Sequence, residues 1–141
     1  MRTINTIFIH CTASRQTATT NDILNEFHQK GWKSPGYHYL VRPDGKVDSL
    51  LDIRKPSNGV AGHNAHSINI AYIGGLSAEG KPTDNRTIEQ KAAIVHLLLQ
   101  LRELFPKARI MGHRDIWGAG NPKAWRKQCP CFNATREYGA I

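Results

Sequence analysis

No run of apolar residues in this chain approaches the roughly 20 that a helix needs to cross a bilayer. The stretch Ile7-Phe8-Ile9 is too short for the core of a secretory signal, and no small-residue cleavage pattern follows it. Synthesis in a cytoplasm without a signal peptide is therefore expected, with any route to an outside site of action supplied by another system. Internal repeats, low-complexity tracts and linkers are also lacking, so residues 1–141 are expected to form one domain. Cysteine is sparse, at three residues, and Cys129 and Cys131 are only two positions apart. A bridge between those two would be badly strained. The thiols are accordingly read as reduced, which leaves metal binding or catalysis as their use. Acidic residues are few as well: 11 Asp and Glu stand against 19 Lys and Arg, for a net charge of +8. That excess calls for a polyanionic partner, either nucleic acid or anionic cell-envelope polymers. The basic residues are scattered and form no compact stripe or reading motif, which argues against nucleic acid.

What is present is a globular composition, 40% hydrophobic and 21% charged, in a chain long enough to close one core without disulfide staples. Ile4 to Cys11 reads as a buried strand. A helix is expected from Thr20 or Asn21 as N-cap, with Ile23, Leu24 and Phe27 on one face and a stop at Gly31. Residues 37–41 and 46–51 flank Pro43-Asp44-Gly45 and should pair as a hairpin. Ile68 to Ile73 is a third strand, ending at Gly74-Gly75. A long helix runs from about Thr87 to Leu104, opened by a capping box of Thr87 and Gln90. Ala108 to Met111 is a short strand that delivers Gly112-His113, and the stretch beyond it reads as irregular up to the cysteines. Interleaved strands and helices predict an α/β domain with a mixed central sheet flanked by helices.

His10 closes the first strand, His113 follows the last one, and Cys129 lies in the tail. Each is a side chain that zinc prefers, and three protein ligands with an open fourth position are the arrangement of catalytic zinc. Strand alternation sorts the neighbours. If His10 faces a metal, Cys11 faces the core, and Tyr37 and His38 cannot both point at one site. Cys131 would share a face with Cys129 if the segment were extended. As a fourth ligand it would close the site and make it structural.

The chain contains His10-Cys11-Thr12-Ala13-Ser14, Gly31-Trp32, Gly36-Tyr37-His38-Tyr39, Asp44-Gly45, His66-Ser67-Ile68 and Gly74-Gly75 in that order. Gly112-His113-Arg114-Asp115 and Lys127-Gln128-Cys129-Pro130-Cys131-Phe132 follow. With these motifs it resembles the phage-lysozyme branch of the N-acetylmuramoyl-L-alanine amidases, which also includes the peptidoglycan recognition proteins. The resemblance implies the amidase-like α/β fold, zinc held by His10, His113 and Cys129, and catalytic roles for Tyr37 and Lys127. Cys131 stands where phage relatives often carry serine, which favours a spare thiol over a fourth ligand. Asn133 replaces an aspartate common after the phenylalanine, and the stretch 116–126 is longer than in the phage pattern.

The implied reaction is hydrolysis of the amide between N-acetylmuramic acid and L-alanine in peptidoglycan, as in an endolysin of a phage or prophage. An effector delivered by a secretion machine and a wall-recycling enzyme are the alternatives for its setting. Lys127 would offer a cation to the tetrahedral intermediate, and Tyr37 a hydrogen bond to the water or the carbonyl. Asp115 is a candidate to orient His113. His38 and His66 are candidates for substrate contact, the alternative for each being a structural histidine. Residues 59–64 would form part of a groove wall in which His63 and Asn64 contact the stem peptide. The expected partner is peptidoglycan or a muropeptide, with anionic envelope polymers, no nucleic acid, no membrane insertion and a monomeric chain. A non-catalytic peptidoglycan-binding module is the rival reading, and the presence of Cys129 with both histidines counts against it.

Overall fold

The computed structural model describes residues 1–141. The chain forms β1 (Thr6–Cys11), α1 (Thr20–Gln29), β2 (Tyr39–Val41), β3 (Val47–Ser49), β4 (Ser67–Tyr72), α2 (Ile88–Leu104), β5 (Arg109–Gly112) and α3 (Ala134–Tyr138). Short 3-10 turns occupy Asn64–His66, His113–Trp117 and Pro122–Ala124. All strands belong to one five-stranded sheet in the order β3-β2-β4-β1-β5. β1 runs parallel to β4 and β5, β2 runs parallel to β4, and β2 and β3 pair antiparallel. This is the expected mixed α/β sheet.

β1 and β4 read as nearly continuous apolar runs because helices cover both faces of the sheet. On one face Ile7, Ile9 and Cys11 of β1 join Ile68, Ile70 and Tyr72 of β4. They pack under Ile94, Leu97, Leu98 and Leu101 of α2 and Ala134 and Tyr138 of α3. On the other face Ile23 and Phe27 of α1 cover Leu40, Ala71 and Ile73. The capping-box glutamine of α2 also serves the sheet. Gln90 Oε1 accepts the Thr87 N–H at 3.0 Å, while its Nε2 donates to the carbonyls of Val41 (3.1 Å) and Ile73 (3.0 Å) beyond the ends of β2 and β4.

Two expectations are corrected. Helix α1 is capped by Thr19, not by Thr20 or Asn21, because Asp22 at the third helical position closes a reciprocal capping box with it. The first hairpin strand begins at Tyr39 and not at Tyr37, and the second spans only Val47–Ser49. Beyond the cysteines the tail ends in α3. Asn133 caps α3 by accepting the Arg136 N–H at 3.0 Å, so the residue that departs from the family pattern still performs a capping task.

Arg86 fastens this tail to the rest of the fold. Its side chain is 1% exposed and lies between Asp84 and Glu137. The guanidinium donates to both carboxylates and to the Tyr138 hydroxyl, and its carbon sits 3.4 Å from the centroid of the Phe132 ring. One cation thus satisfies two acids and stacks on an aromatic face, a geometry that lysine cannot reproduce. Arg86→Ala should lower stability by about 2–4 kcal/mol in urea unfolding at neutral pH. The hydrogen bond from Arg86 holds the Glu137 carboxyl below its ordinary pKa. A depressed carboxylate contributes stability above its unfolded pKa and loses it as pH falls through the folded one. The gap between parent and Arg86→Ala should therefore narrow on acidification below the usual glutamate range.

Candidate metal centre

The register of β1 against β5 builds the first half of the site. Ile9 lies opposite Gly112, the last residue of β5, and a histidine follows each: His10 within β1 and His113 at the start of the 3-10 turn that leaves β5. The turn starts directly from the paired strand end, so His10 and His113 emerge side by side, with ring centroids 5.0 Å apart. Carboxyl ends of parallel strands are where open α/β sheets present their sites. Cys129 arrives from the tail. Its Sγ lies 3.8 Å from His10 Nδ1 and accepts the Cys11 N–H at 3.2 Å. Ligand atoms of His10, His113 and Cys129 all fall within 4.8 Å of one another.

The loop that carries Cys129 is held from several sides. Tyr72 donates its hydroxyl to the Pro130 carbonyl at 2.7 Å, and the Arg114 N–H bonds the Cys129 carbonyl at 3.0 Å. Pro130 packs so closely on β5 that a Cβ at Gly112 would sit 2.8 Å from its Cδ, which is why glycine precedes His113. Cys131 turns away from this group. Its Sγ faces Cys11 Sγ at 3.9 Å on the opposite side of β1, so it does not join the group of His10, His113 and Cys129.

His10 is oriented by a buried polar network. Its Nε2–H donates to Asn69 Oδ1 at 2.7 Å, which leaves the Nδ1 lone pair directed at the Cys129 sulfur. Asn69 Nδ2 in turn donates to Ser57 Oγ at 2.8 Å. Asn69 is fully buried, and a Cβ at Gly59 would sit 2.2 Å from its side-chain amide carbon, so Gly59 makes the space it occupies. Neither Asn69 nor Ser57 stood among the expected site residues. A signal was available: Asn69 is a lone amide within the otherwise apolar run Ile68 to Ile73. Such a residue in a strand buried on both faces needs polar partners.

His113 is held differently. Neither ring nitrogen makes a hydrogen bond, and the imidazole stacks on Trp117 at 5.6 Å and 25°. Asp115 does not reach it: Oδ2 accepts the Gly112 N–H at 2.7 Å and the Thr135 hydroxyl at 2.6 Å, tying the strand end to α3. Burial pushes His10 down to about 4 and His113 down to about 3, so both imidazoles are neutral at pH 7 and have lone pairs to offer a cation.

These groups form the floor of a cleft of about 140 Å³ that Tyr37, Lys127, Trp32, Phe27 and Lys30 also line. The Tyr37 hydroxyl donates to the Cys11 carbonyl at 3.3 Å, and burial raises its pKa, which keeps it protonated. Phe27 and Trp32 stack at 5.5 Å as one wall. Lys127 lines the cleft as an exposed side chain. The path of 116–126 is set by Trp125, which donates to the Gly118 carbonyl at 2.7 Å and carries Arg114 on its ring at 3.8 Å.

The remaining candidates spread out. His38 is fully buried below the cleft floor, its Nδ1 accepting the Asn69 N–H at 3.0 Å and its Nε2–H donating to the Lys55 carbonyl at 2.7 Å, so it has no nitrogen left for a substrate. His66 lies at the far end of the sheet beside Thr3, whose carbonyl is 3.0 Å from its Nδ1. His63 is exposed and stands edge-on to Phe8 at 5.7 Å, on the same face of β1 as His10. Asn64 spends its side-chain oxygen on the Val60 N–H at 2.9 Å.

A family model described as N-acetylmuramoyl-L-alanine amidase matches residues 1–132. The endolysin of Enterobacteria phage K11 is 34% identical over 131 residues, which is 92% of this chain and 82% of that relative. Among solved structures, the Ph2119 endolysin from Thermus scotoductus MAT2119 bacteriophage Ph2119 superposes with a TM-score of 0.76 at 26% identity, over 97% of this chain and 83% of that one. PGRP-SA of Apis mellifera matches with a TM-score of 0.74 over 97% of this chain and 82% of that one. At 19% identity that likeness is one of fold.

The Asn69 network has a direct readout. In metal-free protein the His10 ring should be found as the Nε2–H tautomer by ¹H–¹⁵N correlation spectroscopy. Asn69→Ala should replace that single state with a mixture of tautomers while the fold, followed by circular dichroism, persists. An unchanged tautomer in the variant would show that Asn69 does not set it.

Proposed function

Because this chain belongs to the N-acetylmuramoyl-L-alanine amidase family, we propose that it cleaves the amide between N-acetylmuramic acid and L-alanine in peptidoglycan using zinc held by His10, His113 and Cys129. The observation that carries this reading is the convergence of two neutral imidazoles and one thiol at the floor of a cleft. Two nitrogens and a sulfur suit zinc, and a set of three leaves a position for water or substrate. When bound, zinc supplies an activated water and polarises the scissile carbonyl.

The chain's own side chains supply the rest. The exposed Lys127 ammonium brings positive charge to the cleft wall, where it stabilises the oxyanion that develops on the carbonyl. Tyr37, kept protonated by burial, acts as a hydrogen-bond donor and not as a base. Asn69 and Trp117 hold the two imidazoles in place, so little reorganisation is needed as the reaction proceeds. The wall of Phe27 and Trp32 excludes water from one side of the bound substrate. The +8 charge draws the protein toward anionic envelope polymers, and residues 1–141 act as the catalytic unit at the wall after release by another system.

The test is release of stem peptides with N-terminal L-alanine from purified peptidoglycan. Native protein should release them, chelator-stripped protein should not, and added zinc should restore release. Cys129→Ser should fold and lose tight zinc binding. No release from folded, zinc-loaded protein would move the reading to a non-catalytic binding module. Within the amidase reading, Lys127→Ala should lower kcat by about 10²-fold or more with KM little changed. Tyr37→Phe should cost on the order of tenfold, the worth of one hydrogen bond to the reacting group.

A further inference from the structure

We propose that Cys11 and Cys131 are a disulfide pair, closed by a disulfide oxidant such as oxidised glutathione, which locks the loop carrying Cys129 onto β1 while leaving the Cys129 thiol free. The three thiols sit around the end of one strand but on two sides of it. Alternation along β1 sends His10 to the cleft face and Cys11 to the core face. The tail crosses the strand end so that Cys129 reaches the cleft and Cys131 reaches the core side.

Cys131 has φ +71°, a left-handed conformation uncommon for a residue with a side chain, and its N–H closes a turn on the Gln128 carbonyl at 2.7 Å. In that turn its sulfur lies 3.9 Å from the Cys11 sulfur and 3.6 Å from the Gly75 carbonyl oxygen. Gly75 leaves the room the pair needs, since a Cβ there would come within 2.6 Å of Cys11 Sγ. Bond formation requires the sulfurs to approach by roughly 2 Å, within reach of side-chain rotation. The Cys129 sulfur is engaged by His10 Nδ1 at 3.8 Å and by the Cys11 backbone N–H at 3.2 Å, whereas Cys131 Sγ has its 3.9 Å contact with Cys11 Sγ itself.

Within the pair, Cys131 is half-buried and Cys11 buried, so Cys131 is the one that solvent reaches first. Its thiolate attacks oxidised glutathione, breaking that S–S bond and releasing one glutathione. Cys11 then attacks the Cys131 sulfur and releases the second. Two protein thiols are oxidised, one glutathione disulfide is reduced, and the two protein protons end on the two glutathione thiols. The closed ring joins positions 120 residues apart, so it removes much of the freedom of the unfolded chain.

The experiment uses the intact protein incubated with oxidised glutathione, then denatured without reductant and alkylated with iodoacetamide. The expected product has lost two hydrogens in mass and carries one alkyl group. Fragmentation should place that group on Cys129 and a cross-link between Cys11 and Cys131, and Tm should rise by several degrees. Cys131→Ser should show no cross-link and no gain in Tm from the oxidant. A cross-link that includes Cys129, a lasting glutathione adduct, three alkylated thiols, or an equal rise in Tm for Cys131→Ser would each overturn the proposal. None of these readouts uses amidase activity, so failure here leaves the zinc amidase reading standing.

Discussion

Parallel pairing of β1 with β5 places Ile9 opposite Gly112, and the residues that follow them, His10 and His113, then meet with their rings 5.0 Å apart. Every other feature of the site depends on that register. A slip of one residue on either strand would turn one imidazole into the hydrophobic core, since strand side chains alternate strictly. The register is secured by the core face, where Ile7, Ile9 and Ile110 sit under α2 and α3 and cannot be exchanged for Phe8 and His10 without burying polar groups against leucine. Ordinary hydrophobic burial on one side of the sheet thus fixes the geometry of polar chemistry on the other.

The third ligand-type residue depends on the tail, and the tail is held by polar and aromatic contacts more than by regular structure. Tyr72 reaches the Pro130 carbonyl, Gly112 lets Pro130 approach, and Arg86 clamps Phe132, Glu137 and Tyr138. These contacts join the segment after β5 to β4 and to the start of α2. The loop with Cys129 is therefore positioned by the same core that positions the histidines, so the site behaves as part of the scaffold and not as a mobile appendage.

Two histidines in close contact are tolerable only as neutral groups. Burial lowers both pKa values, and the Asn69 amide selects one tautomer for His10, so the nitrogen turned toward Cys129 is a lone pair and not a proton. Tyr37 is kept in its acid form by the same desolvation. Low dielectric at the cleft floor thus leaves two neutral imidazoles and a protonated phenol side by side, while Lys127 at the cleft stays exposed to water.

By itself the sequence determined the local features whose causes are local. Apolar runs marked β1 and β4, helical spacing and the Thr87–Gln90 box marked α2, and Pro43-Asp44-Gly45 marked the hairpin. The motifs around His10, His113 and Cys129 marked the family. Alternation alone assigned Cys11 to the core and separated Tyr37 from His38. What only the tertiary structure decided is whatever needs two distant segments to meet. It separated Cys131 from Cys129, because the turn between them crosses the strand end and does not run extended. It retired His38 into the network beneath the site and left His66 at the other end of the sheet, although both are histidines next to family motifs. It also brought in Asn69, Ser57, Gly59 and Trp117, whose roles arise from fit against residues 10 to 59 positions away in the chain, or from one stacked ring. Periodicity records which face of its own element a side chain takes, whereas register and loop crossing, set by packing of the whole chain, decide what that face meets.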